Sequence, residues 1–171
     1  MAARSFVIAV WYESTRSIGD KMNLKALIGV GHEIMLSTLI FALIGILLNF
    51  FIPGLFEISL GVTGKIIGCV FFLIGIPIWL SSAALVAVHV PRGRLITTGP
   101  FRLMTHPLYT SVGLLVIPGI GFLLNNWIWW VLGAVTYVSS RVFSKKEEKT
   151  LEEKFSDEYR SYRANVFLPW L

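Results

Sequence analysis

His106 and the acidic pair Glu147-Glu148 are the residues of this chain whose types and surroundings best suit chemistry. His106 stands before Pro107 in a polar segment, residues 94–109, set between two long apolar runs. Prolines at 91, 100 and 107 and glycines at 93 and 99 punctuate this region. Proline fixes φ, and glycine permits turns that other residues resist, so the loop should hold a shaped backbone. Such a backbone offers N–H and C=O groups to a polar ligand; the plainer alternative is a tight connector whose prolines only break helices. Pro107 suits the first position of a helix, and there His106 and Tyr109, three apart, face one side.

The acidic pair opens an amphipathic helix read from Ser144 onward. Leu151, Phe155, Tyr159, Tyr162 and Val166 recur every three or four residues and form one apolar stripe. At ~100° per residue, Glu148 falls within about 30° of the centre of that stripe and Glu147 roughly 70° away. A carboxylate in a buried stripe is costly unless a positive or hydrogen-bonding group meets it, so Glu148 invites a ligand. Glu147 has a structural alternative: Ser144-Lys145-Lys146-Glu147 fits a capping box with Ser144 as N-cap. The acids from Glu152 to Glu158 alternate with lysines and read as a solvated face.

These residues must be positioned by membrane helices. The chain is 55% hydrophobic and 15% charged, too apolar for a soluble fold of 171 residues. One cysteine, Cys69, excludes an intrachain disulfide framework, and the three histidines lack metal-ligand spacing. Four apolar runs, Ile34–Ile52, Ile66–Val90, Leu108–Leu124 and Trp127–Phe143, read as spans, the last two a hairpin turning at Asn125-Asn126. Pro53-Gly54 stops the first. Phe6–Tyr12 is too short to cross and fits an interfacial patch. The expected fold is therefore an all-α membrane protein, one domain over 1–171. It has an interfacial segment at 1–33, about four transmembrane helices over 34–143, and a cytoplasmic amphipathic helix and tail over 144–171.

Of the 15 basic residues, only Lys65 falls in the loop on the far side of this four-span arrangement. The excess of positive charge places both termini and the 91–107 loop in the cytoplasm. The net charge of +5 then faces anionic lipid headgroups and implies no nucleic-acid partner. His106 and Glu147-Glu148 consequently share one leaflet.

The run Leu95-Ile96-Thr97-Thr98-Gly99-Pro100-Phe101, then His106-Pro107-x-Tyr109, then a hairpin and Glu147-Glu148-x-x-Leu151, Phe155, Glu158-Tyr159 and Tyr162, resembles the isoprenylcysteine carboxyl methyltransferase family. The related phospholipid N-methyltransferases look similar. The resemblance covers residues ~90–169 in order. It implies an integral membrane enzyme that transfers a methyl group from S-adenosylmethionine, releasing S-adenosylhomocysteine, to a lipophilic acceptor reaching the site from the bilayer. An isoprenylcysteine-type carboxylate, a lipid amine and a hydrophobic small molecule all qualify. Carried over by position, it nominates Gly93, Arg94, Leu95, Ile96, Phe101, His106, Pro107, Leu108, Tyr109, Glu147 and Glu148 for the cofactor.

The resemblance favours Glu147 of the acidic pair, whereas the helical wheel favours Glu148. His106 and Glu148 are the expected catalytic groups, since a lipid amine must lose a proton before it attacks. Two positions depart from the family pattern: Thr105 stands for an arginine before His-Pro, and Phe143 for a substrate-contacting arginine. Arg141, nearby on another helical face, is the nominated substrate contact. These departures also admit an enzyme of altered or lost activity. A reading from another class is a non-catalytic four-helix protein, a small transporter or assembly subunit. Transporters carry ionisable groups near mid-bilayer, and here only Arg141, near an end, falls inside a span.

Overall fold

The computed structural model describes residue 34, residues 36–52 and residues 54–171. The interfacial patch at Phe6–Tyr12 and Pro53 lie outside the described residues. Helix α1 covers Leu36–Phe51, α2 Gly61–His89, α3 Pro107–Leu124 and α4 Ile128–Asn165. No strand occurs among the described residues; two isolated bridges pair Glu57 with Asn126 and Met104 with Leu168.

Two stretches, Gly61–Arg92 and Pro107–Leu124, are long and apolar enough to cross a membrane. The shorter α1 is apolar as well, while α4 is apolar only over its first half. Burial runs opposite to a water-soluble fold. Phe50 and Leu73 are 77% and 74% exposed, whereas α2 buries Gly64, Gly68, Gly75 and Ser82. Large side chains facing out and small ones at the helix contacts fit a chain dissolved in lipid, where close backbone approach drives association.

Glycines set that approach. A Cβ on Gly68 would meet Leu123 at 2.8 Å and the Gly119 carbonyl at 3.0 Å, so α2 lies directly against α3. A Cβ on Gly133 would come 2.5 Å from the Gly113 carbonyl and 2.7 Å from Pro118 Cγ, which locks α4 against α3. One π-helical turn, Val112–Val116, precedes Pro118 in α3, the place where a proline without an N–H disturbs the ladder. The hairpin turns where expected: Asn125 is left-handed with φ 53°, and Asn126 Oδ1 accepts from the Ile128 N–H at 3.1 Å.

The acidic helix departs from expectation. It does not begin at Ser144 but continues α4 without interruption, and Ser144 Oγ donates to the Ser140 carbonyl one turn back. Ser144 is therefore no N-cap, and the capping-box role of Glu147 fails with it. The break comes later, at Ser156, with φ 42° and ψ −111°. A straight helix would separate Glu148 and Arg163 by roughly 22 Å. Instead Arg163 Nη1 lies 3.0 Å from Glu148 Oε2, and Arg160 Nε reaches Glu152 Oε1 at 3.0 Å. The chain folds back at Ser156 and returns its last turns to the acidic pair.

Candidate active site

The loop after α2 is shaped by its prolines and glycines. A 3-10 turn at Val90–Arg92 ends at Gly93, whose φ of 62° suits glycine; a second turn, Gly99–Arg102, starts at another left-handed glycine, φ 61°. The loop is then stitched to the C-terminal tail. Leu168 N–H donates to the Leu103 carbonyl at 2.8 Å, and Thr105 N–H to the Leu171 carbonyl at 2.8 Å. Buried Thr105 Oγ1 lies 3.0 Å from both the Pro169 and Leu171 carbonyls. The hydroxyl at this position thus serves the tail. Tyr162 donates its hydroxyl to the Phe101 carbonyl at 2.8 Å, tying the returning part of α4 to the same loop.

Between loop and helix lies a cavity of about 240 Å³. Gly93, Arg94, Leu95, Ile96, Phe101, His106, Leu108, Tyr109 and Glu147 line it together, although the loop and Glu147 are some forty residues apart in the chain. Two nominated residues do not line it. Pro107 is fully buried at the start of α3, and Glu148 reaches His106 from outside the cavity. Val86 near the end of α2, Val90 just after it, and Thr105 complete the wall with Leu151, Lys154, Phe155, Tyr159 and Tyr162. The apolar stripe marked four of these in the sequence. Nothing marked Lys154, which the charge alternation assigned to a solvated face.

The two glutamates have opposite environments. Glu147 Oε2 is sealed from solvent and has no hydrogen-bond partner among the described residues. Burial pushes the Glu147 carboxyl above the usual range; the positive side of His106 opposes this and the Glu148 charge adds to it. Glu148 is held below the usual range by the hydrogen bond from His106, against partial burial, with help from Arg163. His106 Nε2 and Glu148 Oε1 are 3.0 Å apart, and both side chains are largely hidden. An ionised carboxylate only accepts, so His106 Nε2 donates this bond. Tyr159, almost fully buried, is pushed up to about 12 by burial and then by Glu148.

The geometry separates the acidic pair: Glu147 lines the cavity, and Glu148 bonds to the histidine. Arg141 is elsewhere. It lines a separate depression with Arg160, Arg163 and Trp170, behind Tyr159. His89 bonds through Nδ1 to the Leu85 carbonyl at 3.0 Å within its own helix.

No curated protein and no solved structure gives a significant match to this chain. A sequence profile of the phospholipid methyltransferases matches residues 37–158, a stretch holding α1 to α3, the whole loop and the acidic pair. By that match the chain belongs to the phospholipid methyltransferase family.

Proposed function

We propose that this protein binds S-adenosylmethionine in the cavity between residues 93–109 and α4 and methylates the amine of a lipophilic acceptor. One observation carries the reading: a buried carboxylate oxygen without a partner, Glu147 Oε2, lines a cavity whose other walls suit the cofactor. The cofactor offers an amino group and ribose hydroxyls as donors, a carboxylate, a flat adenine and a sulfonium. Glu147 supplies the missing acceptor, Arg94 and Lys154 the positive charge, and Phe101, Tyr109 and Phe155 the aromatic faces. The bound cofactor supplies an electrophilic methyl group.

The chain's own residues supply position and a base. His106 lines the cavity with Nε2–H held by Glu148, which directs the Nδ1 lone pair to other uses. It takes the proton that an ammonium must lose, and Glu148, held by Arg163, stabilises the imidazolium that results. A carboxylate acceptor needs no such base, and the dyad therefore favours the lipid amine. Holding acceptor and donor in line and excluding water supplies the remaining advantage.

A second, strongly apolar cavity between the helices supports a lipophilic acceptor. Ile34, Leu39, Trp79 and Val112 help line it, and it shares Leu108 and Tyr109 with the cavity between loop and α4. An acyl chain in the apolar cavity places its head near the cofactor cavity. We take the fold to have four spans, α1, α2, α3 and the apolar half of α4, with the loop and tail on the cytoplasmic side. The alternative of a transporter or assembly subunit loses ground to the family match.

Calorimetric titration of the detergent-solubilised protein with S-adenosylhomocysteine tests the cofactor. Micromolar binding that weakens at least tenfold in Glu147→Gln is expected. Absence of heat or of displacement at millimolar ligand refutes the reading. Transfer of labelled methyl groups into a lipid extract then identifies the acceptor class.

A further inference from the structure

A second pocket stands behind the wall of the first. Arg141, Arg160 and Arg163 converge there with Glu152, Tyr159 and Trp170. Two of these arginines have carboxylate partners: Arg160 meets Glu152 at 3.0 Å, and Arg163 meets Glu148 at 3.0 Å. Arg141 has no carboxylate within ion-pair distance among the described residues; the Glu148 charge acts on it only from farther off, and its Nη1 is buried without an acceptor. A guanidinium is charged at every accessible pH, and an unpaired one held partly out of water is costly. The pocket is built as though an anion completes it.

The location selects the source of that anion. In the four-span reading proposed above, Arg141 ends the apolar half of α4 and comes to the depth of the headgroup phosphates. Val138, one turn earlier, and Val142 are each 58% exposed, so the helix surface leading to the pocket is a lipid-facing strip. Trp170, 60% exposed at the rim, is the residue type that settles at the membrane–water boundary. A soluble ion arrives from the aqueous side and gains nothing from that strip. Guanidinium forks match phosphate oxygens in shape and charge. Most of the pocket lies after residue 158, beyond the stretch the family profile matches, and so it is a feature of this chain's own C-terminal part.

We propose that Arg141, Arg160 and Arg163 form a binding site for the phosphate of an anionic phospholipid, distinct from the methyl-transfer cavity. A lipid with net negative charge is preferred because a zwitterionic headgroup brings an ammonium into a pocket that already holds three cations. Arg163 contacts Glu148 while lining this pocket, which places the bound lipid one residue away from the His106–Glu148 pair. The inference does not depend on methyl transfer, and its test contains no cofactor.

The test is thermal unfolding of the full chain in neutral detergent, alone and with short-chain phosphatidylglycerol, matched phosphatidylcholine or inorganic phosphate. Phosphatidylglycerol at saturation should raise Tm by about 5 °C or more. Arg141→Gln should abolish that shift, read against the variant's own lipid-free melting temperature. Arg160→Gln, at an exposed position, should reduce the shift and serves if Arg141→Gln does not fold. Lys149→Gln, a charge change of the same sign outside the pocket, should leave the shift intact. An undiminished shift in both arginine variants overturns the site. So does an equal loss in Lys149→Gln, which marks diffuse charge attraction. A shift from inorganic phosphate or phosphatidylcholine as large as that from phosphatidylglycerol overturns the assignment to an anionic lipid.

Discussion

Replacing Glu148 with glutamine removes one charge from the His106–Glu148–Arg163 chain while preserving its shape. In the native protein the 3.0 Å bond from His106 Nε2 ends on an ionised carboxylate, a class of bond that contributes about 1.5–3 kcal/mol. A glutamine oxygen retains a neutral bond of about 0.5–1.5 kcal/mol. The difference, on the order of 1–2 kcal/mol, is the stabilisation that the forming imidazolium loses, and it corresponds to a fall in kcat of about 5–30-fold. Cofactor affinity should stay level, because Glu148 does not line the cavity. His106→Ala should cost more, about 10²–10⁴-fold, as expected for loss of a general base. The double variant His106→Ala/Glu148→Gln should fall no further than His106→Ala alone, since the glutamate acts only through the histidine. The assay is labelled methyl transfer to a lipid amine, with kcat and KM determined separately for all four proteins. Costs that multiply in the double variant would show the two residues acting independently and refute the dyad.

Three further perturbations follow from the same geometry. Glu147 is raised above its unfolded value by burial, so its contribution to the ligand-free fold is greatest at low pH and is lost as pH rises through the raised value. Glu147→Gln should therefore melt above wild type at neutral pH and converge with it on acidification, and S-adenosylhomocysteine affinity should rise with pH in wild type alone. Gly133→Ala forces a methyl against the Gly113 carbonyl and the Pro118 ring, and should lower stability by about 1–3 kcal/mol in detergent melts. Thr105→Val removes the donor shared by Pro169 and Leu171, and should open residues 167–171 to carboxypeptidase; Thr105→Ser should restore protection.

Amino-acid order alone determined the apolar stretches, the hairpin at Asn125-Asn126 and the family, because each is a local signal. Hydrophobic run length, turn chemistry and a motif in the right order need no knowledge of what lies opposite. It also picked out most of the residues that line the cavity, since the Gly-Pro loop and the acidic pair were expected on one side of the membrane. Where two local rules competed, it could not arbitrate. Ser144 satisfied a capping pattern, but α4 ran through it, because a helix docked by Gly133 against α3 has no reason to stop there. The wheel placed Glu148 on the apolar stripe and missed that its partners would be His106 and Arg163, forty-two residues before it and fifteen after.

Only the tertiary structure decided those partnerships. The fold-back at Ser156 returns Arg163 to Glu148, the stretch of α4 before it lays Lys154 along the cavity, and the tail that takes up Thr105 closes over the loop. The difference between the glutamates arises there too. Both are the same residue on the same helix, one turned into a cavity and the other toward a histidine and an arginine. Burial and charge, which set their protonation, are properties of the space around them and are not carried by their neighbours in sequence.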